Sequence, residues 1–245
     1  MFKQQSESFL RFAHWVAKSP ALKQILLRPY RYYQSFYKKK RNALFRKNGL
    51  EVLKVFDECL TKNGFPYTLA FGSMLGAIRE HGFIKHDFDM DVAMWAEDYT
   101  PALRKLLEQH GFSLVHEMTV DEGQSGREET YEFNGVRIDV FFIYPAIDQY
   151  PYCCDFLCYE DSYSFEDSMK RYGQLVVRRL QLPWNKDLHR VPFEDTNLPV
   201  PVNAAEILAF RYGDDYMIPN PSWRSLDYNK YTTVWKEKKA IYRKG

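Results

Sequence analysis

The sequence predicts an α+β fold, a mixed β-sheet core flanked by helices and preceded by a basic helical arm. Three observations point there. Between residues 50 and 144, helix-period and strand-period segments follow in the order helix, strand, short helix, strand, helix, strand pair, which suits a mixed sheet with helices packed on it. Asn134-Gly135 between two alternating segments marks an antiparallel hairpin. The charge is also unevenly placed. Residues 8 to 50 hold eleven Lys or Arg and no acid, while the whole 245-residue chain is only +2, leaving the rest near −9.

The arm, residues 1–48, mixes its charge with aromatics, as in "RPYRYYQSFYKKKRNALFRK". Phe9, Phe12, Ala13 and Val16 recur at helical spacing beside Arg11 and Lys18. Such a segment suits a solvated helical hairpin packed on the body, or a helix lying on an anionic membrane surface. Phosphate neutralisation on a nucleic acid is the third reading, and no nucleic-acid partner is expected. No apolar run reaches the roughly 18 residues that span a bilayer, and no signal-peptide core is present. A cytoplasmic protein is expected, peripheral on the inner membrane face if the arm binds there. Cys59, Cys153, Cys154 and Cys158 fit a reducing compartment, with buried thiols as the default and a structural zinc as the alternative.

The body, residues 49–245, is expected to be one catalytic domain. A helix begins near Leu50 and stops near Gly64; "PYTLAFGS" is a short strand ending in a Gly-Ser turn, and "MLGAIREHG" makes one or two helical turns closed by Gly82. "HDFDMDVAMW" alternates as a second strand. The next helix has Thr100 as N-cap, Pro101 at its first position and Gly111 past its end. "ETYEFNGVRIDVFFIY" supplies the hairpin; residues 145 to 190 read as irregular, and "NAAEILAFRYGDDYM" as a final helix ending near Gly213.

In a strand, Asp87, Asp89 and Asp91 would share one face, with Phe88, Met90 and Val92 on the other. Three carboxylates on one face repel unless a cation sits among them, and hard oxygen ligands suit Mg²⁺, with Mn²⁺ as a substitute. Asp139, mid-strand in "VRIDVFF", is a further candidate ligand. The alternative is a solvated acidic edge with Asp139 paired to Arg137. Gly72-Ser73, opening a short helix, could offer N–H groups and a hydroxyl to a phosphate. Arg79 is a candidate phosphate ligand, as are Arg178 and Arg179 in "VVRRLQLPW". His86 lies beside the acidic run.

Turn, acidic strand and second acidic strand together resemble the pattern of the nucleotidyltransferase superfamily. "GSMLGAIREHGFIKHDFDMDV" resembles the signature of the LicD family, which includes bacterial phosphocholine transferases, fukutin and fukutin-related proteins. Gly72, Ser73, Leu75, Gly76, Ala77, Arg79, Gly82, Phe83, Ile84, Asp87, Asp89 and Asp91 match it. Lys85, His86 and Phe88 depart from its Pro, Trp and middle Asp. "LPVPVNAAEILAFRYGDDYMIP" resembles the family's closing segment, so the likeness runs over about residues 50 to 220 and leaves out the arm.

The resemblance implies a Mg²⁺-dependent transferase that moves a phospho-alcohol, phosphocholine or a polyol phosphate, from a CDP-linked donor to a hydroxyl of a cell-surface or lipid-linked glycan, releasing CMP. Asp89, Asp91 and Asp139 are then the catalytic and metal-holding set; Gly72, Ser73, Arg79, His86, Asp87, Arg178 and Arg179 bind substrate or phosphate. The alternatives are a nucleotidyltransferase that moves a nucleoside monophosphate from an NTP, or a non-catalytic glycan- or membrane-binding module.

Overall fold

The computed structural model describes residues 20–85, 87–160, 163–220 and 231–245, with side chains from residue 39 onward. The chain divides into two compact units, Met1–Leu44 and Phe45–Gly245. Helix α1, Pro20–Lys62, runs through the boundary, so the separate helix expected from Leu50, and a hairpin within residues 20–48, are not what forms. No Pro or Gly-rich break lies between Pro29 and Gly49 to stop the helix. The expected amphipathic stretch around Phe9 to Val16 lies outside the described residues. Lys39, Lys40 and Arg41 are exposed. Among the described residues no helix is long and apolar enough to cross a membrane.

In the larger unit α1 buries one stripe: Phe45, Val52, Leu53, Phe56, Cys59 and Leu60, spaced three and four apart as one helix face demands. Phe56 meets Tyr67 and Phe112 edge-on, at 5.4 and 5.7 Å between ring centroids. Strand β1 is only Thr68–Leu69. Helix α2, Phe71–Arg79, follows at once, and then β2, Met90–Trp95. Helix α3, Pro101–Gln109, has Thr100 before it and Gly111 (φ +90) after it, as expected.

Strands β3 (Ser113–Val120), β4 (Gly126–Phe133) and β5 (Val136–Ile143) complete most of the sheet. Asn134 and Gly135 both have positive φ, 51 and 75°, as the tight hairpin turn requires. The sheet order is β1-β2-β5-β4-β3-β11, where β11 is Ala240–Lys244. Among the described residues only β2 and β5 pair in parallel, with Asp91 opposite Asp139. Met90, Val92, Met94, Ile138, Val140 and Phe142 are buried on one face, so Asp91 and Asp139 occupy the other.

Residues 145 to 190 are not irregular. They form β6 (Tyr152–Leu157), α4 (Phe165–Tyr172) and β7 (Val176–Gln181), and they reach into β8 (Leu188–Phe193). Tyr, Phe and Cys on these strands fill positions in a second sheet, β10-β7-β6, where β10 is Thr232–Val234, so aromatic density marked packing rather than loop. Strands β8 and β9 (Thr196–Pro201) make a hairpin against the body. Helix α5, Ala204–Tyr212, ends at Gly213 (φ +98); it is not the last element, since β10 and β11 follow it.

Candidate active site

The acidic run does not converge by strand alternation. Ladder pairing begins at Met90 opposite Ile138, and Asp87, Phe88 and Asp89 precede it in a loop that leaves a turn closed by Asp87 N–H donating to Ile84 O at 3.0 Å. This corrects the strand assignment of Asp87 and Asp89, and the preference of Asp for loops explains it. The loop still folds the three side chains together. Asp87, Asp89 and Asp91 line one cavity of 740 Å³ with Phe71, Gly72, Arg79, Asp155 and Arg211 among its other walls.

The start of α2 fixes Asp91. The Asp91 N–H donates to Ser73 Oγ at 2.9 Å, and the Gly72 N–H donates to Asp91 Oδ2 at 3.3 Å. The Ala70 N–H closes on Asp91 O at 2.9 Å. Ser73 is therefore buried and engaged with β2, and it is absent from the cavity lining. Phe71, the first residue of the helix, holds φ at +39°, a strained value for a side chain of that size.

Electrostatics in the cavity are adverse to a bare acidic cluster. Burial, then the adjacent Asp89 carboxylate, pushes Asp87 up to about 7. Asp91 is raised well above the usual carboxylate range by burial and then by Asp89, Asp139 and Asp87, with the Gly72 N–H opposing. Glu128 on β4, almost wholly buried, is raised by burial and then by Asp139, Asp155 and Asp91. Among the described residues no three Asp, Glu, His or Cys groups already stand in metal-ligating geometry. The oxygen-only donor set and its mutual repulsion nonetheless fit a hard divalent cation, whose charge would reverse the repulsion. Gly72 leaves room for it: a Cβ there would lie 2.6 Å from Asp87 Oδ2 and 3.5 Å from Asp91 Oδ2.

Asp139 does not pair with Arg137, which bonds Glu132 at 3.1 Å. It accepts from Thr130 Oγ1 at 2.6 Å. Arg79 lines the cavity while donating to Glu80 Oε1 and to Tyr216 O, at 2.8 and 3.1 Å. Arg178 is paired with Asp155, whose side chain faces the cavity. Arg179 is on the other face of β7, its guanidinium 4.8 Å above the Trp235 ring and 3.8 Å from Asp148. His86 lies outside the described residues. Cys153 and Cys154 are buried and Cys158 partly so.

Several residues in and around the site were not singled out from the sequence. Arg211 is 7% exposed, with its guanidinium 5.5 Å from the Phe71 ring centre; a lone Arg in the apolar "AEILAFRYG" was the available signal. Tyr212, at the end of the same helix, also lines the cavity, and burial and then Asp91 push its hydroxyl up. Glu128 and Thr130 sit on the site face of β4, where "REETYEF" carries polar residues on both faces.

Comparison with known proteins gives the chain's relatives. The chain is 24% identical over 181 residues to Ribitol-5-phosphate transferase FKTN of Mus musculus, covering 74% of this chain and 35% of that one. For the Homo sapiens protein of the same name the figures are 25% over 182 residues, 73% and 35%. An uncharacterised protein of Caenorhabditis elegans is 28% identical over 207 residues, covering 78% of this chain and 49% of that one. The chain thus spans about a third of the length of the two FKTN relatives. The family model for the LicD/FKTN/FKRP nucleotidyltransferase domain matches residues 64–203, from before β1 to just before α5 and across all four cavity aspartates of the loop, β2 and β6. The chain belongs to the LicD/FKTN/FKRP nucleotidyltransferase-domain family.

Proposed function

We propose that the protein is a metal-dependent transferase that moves a phospho-alcohol from a CDP-linked donor to a glycan hydroxyl and releases CMP. The observation that carries this reading is the single cavity in which Asp87, Asp89 and Asp91 face two guanidinium side chains, Arg79 and Arg211. Carboxylates for a cation beside cations for phosphate are what a diphosphate donor requires. The name of the FKTN relatives favours a polyol phosphate over phosphocholine as the group moved.

Asp89 and Asp91, with Asp139, would hold Mg²⁺ or Mn²⁺, which supplies charge neutralisation on the diphosphate. Arg79 and Arg211 bind the phosphate oxygens, and Phe71, Phe141 and Leu180 shield them from water. The acceptor hydroxyl oxygen bonds to the phosphorus that carries the alcohol. The bond from that phosphorus to the bridging oxygen breaks, and its electron pair leaves with CMP. The hydroxyl proton passes to a carboxylate, and Asp139, opposite Asp91 on the neighbouring strand and outside the cavity lining, is the residue proposed for it. The exposed basic residues of α1 are proposed to hold the enzyme at an anionic membrane surface near a lipid-linked acceptor.

The test is to supply CDP-ribitol, CDP-choline and CTP separately, with and without Mg²⁺, alongside a glycan acceptor. CMP released from a CDP-alcohol supports the proposal. Pyrophosphate released from CTP would convert the reading to a nucleotidyltransferase, and no turnover with any of them would leave a binding module.

A further inference from the structure

On the site face of the sheet, a hydrogen-bond chain runs across three adjacent strands. Thr130 Oγ1 on β4 donates to Asp139 Oδ1 on β5 at 2.6 Å, and the same oxygen lies 3.0 Å from His116 Nε2 on β3. Thr130 has one hydroxyl proton and gives it to the carboxylate, so the second contact requires His116 Nε2–H to donate. The chain therefore points one way, from imidazole through hydroxyl to Asp139, and each donor strengthens the next.

The backbone is shaped to bring this about. Strands β3 and β4 pair Leu114 with Tyr131, then slip by one residue so that His116 stands opposite Thr130. In the register of Ser113 and Leu114, Val115 would oppose Thr130, and His116 would oppose Glu129 on the far face. A bulge that re-aims one side chain next to a site is a frequent use of such irregularities. The imidazole is enclosed by Tyr242 and Phe165, at 5.3 and 6.1 Å between ring centres. Burial, and behind it the Arg137 charge, pulls it down to about 4, so it stays neutral and able to keep the Nε2–H form.

We propose that Thr130 and His116 are positioning residues for Asp139, a chain set by the β3 bulge that fixes the carboxylate's orientation toward the cation and substrate. The proposal rests on Asp139 belonging to the site as read above. Partners of metal-binding carboxylates commonly change metal affinity by about 10–100-fold when removed.

The experiment uses the full chain with Thr130→Val, Thr130→Ser, His116→Phe and His116→Gln. Phe keeps the ring packing without the N–H, whereas Gln and Ser restore a donor. Mn²⁺ affinity by titration calorimetry, kcat and KM for CMP release, and the His116 tautomer by ¹⁵N NMR are the readouts; thermal unfolding confirms folding. Expected are an affinity loss of about tenfold for Val and Phe, recovery to within about threefold for Ser and Gln, and an Nε2–H tautomer in the parent protein. Unchanged affinity in both Thr130→Val and His116→Phe, an Nδ1–H tautomer, or a parent protein that binds no Mn²⁺ would each overturn the chain. Mn²⁺ binding without CMP release would count against the donor assignment alone, leaving the chain to be decided on affinity.

Discussion

Gly72 and Asp87 touch where a side chain on residue 72 would have to be: an added Cβ would lie 2.6 Å from Asp87 Oδ2. Gly72 φ is not in the left-handed region, so the glycine is needed for space and not for backbone conformation. Gly72→Ala should therefore displace a flexible carboxylate and leave the fold intact. We expect CMP release to fall by about tenfold or more with little change in melting temperature. Gly76→Ala is the contrast, because its Cβ would lie 2.4 Å from the backbone carbonyl of Gly82, which has no rotamer to escape into. That variant should lose about 1–3 kcal/mol of stability. Equal melting losses in the two variants would show that Gly72 serves the fold.

Asp91 is held among three other carboxylates and raised by burial and by them. Asp91→Asn removes the carboxylate and keeps an oxygen to accept from the Gly72 N–H. Without metal, the variant should melt about 2–4 °C higher than the parent, as expected for roughly 1 kcal/mol in a domain of this size. With Mg²⁺ the order should reverse, because only the parent gains stability from the ion. Thermal melts with EDTA and with Mg²⁺ decide it. A parent protein indifferent to Mg²⁺ would remove the cation from the site.

The acidic motif was legible because chemistry restricts it: few folds tolerate Asp87, Asp89 and Asp91 so close without a use for them. The hairpin at Asn134-Gly135 and the Thr100-Pro101 helix start were legible because local rules alone determine them. Residues 145 to 190 were not. Strands β6 and β7 are stabilised by tertiary pairing, such as Asp155 with Arg178, and "YCCDFL" and "VVRRLQ" carry no apolar-polar alternation to read. The bulge at Val115 was equally hidden, since nothing in "SLVHEMTV" announces a register slip. Arg211 reached the cavity through the packing of α5 on α2, a contact between segments about 130 residues apart.

His116 makes the fold sensitive to acid. Its pKa is lowered from the ordinary 6.5 to about 4, so between those values the unfolded chain takes up a proton that the folded one refuses. Stability is then full above about pH 6.5 and is lost as the pH falls toward 4. The groups facing the ring are Thr130, Arg137, Phe165 and Tyr242, with Lys244 opposite on β11. The ring is only partly buried, and after allowance for solvent screening the loss is about 1–2 kcal/mol. Chemical denaturation at pH 7 and pH 4.5 should show a shallower pH slope for His116→Phe than for the parent. An identical slope would assign the acid lability to the carboxylates.

The far face of the sheet holds a second charged cluster, and the prediction there concerns stability alone. Glu129 is fully buried and accepts from Arg104 and Arg127 at 2.8 and 2.9 Å and from the Tyr131 hydroxyl at 2.5 Å. Arg104 and Arg127 also reach Glu117, at 2.8 and 3.2 Å, and the Arg127 guanidinium lies 4.3 Å over the Tyr99 ring. Glu129→Gln strips the charge from the centre and leaves two guanidinium groups under-compensated, which costs about 3–5 kcal/mol. The outer Arg243–Glu117 pair, 3.5 Å apart with Arg243 half exposed, should cost less than about 0.5 kcal/mol when Arg243→Ala breaks it. Urea unfolding measures both, and CMP release per folded molecule should stay within about twofold of the parent. Comparable losses from the two variants would mean that burial does not set the value of this network.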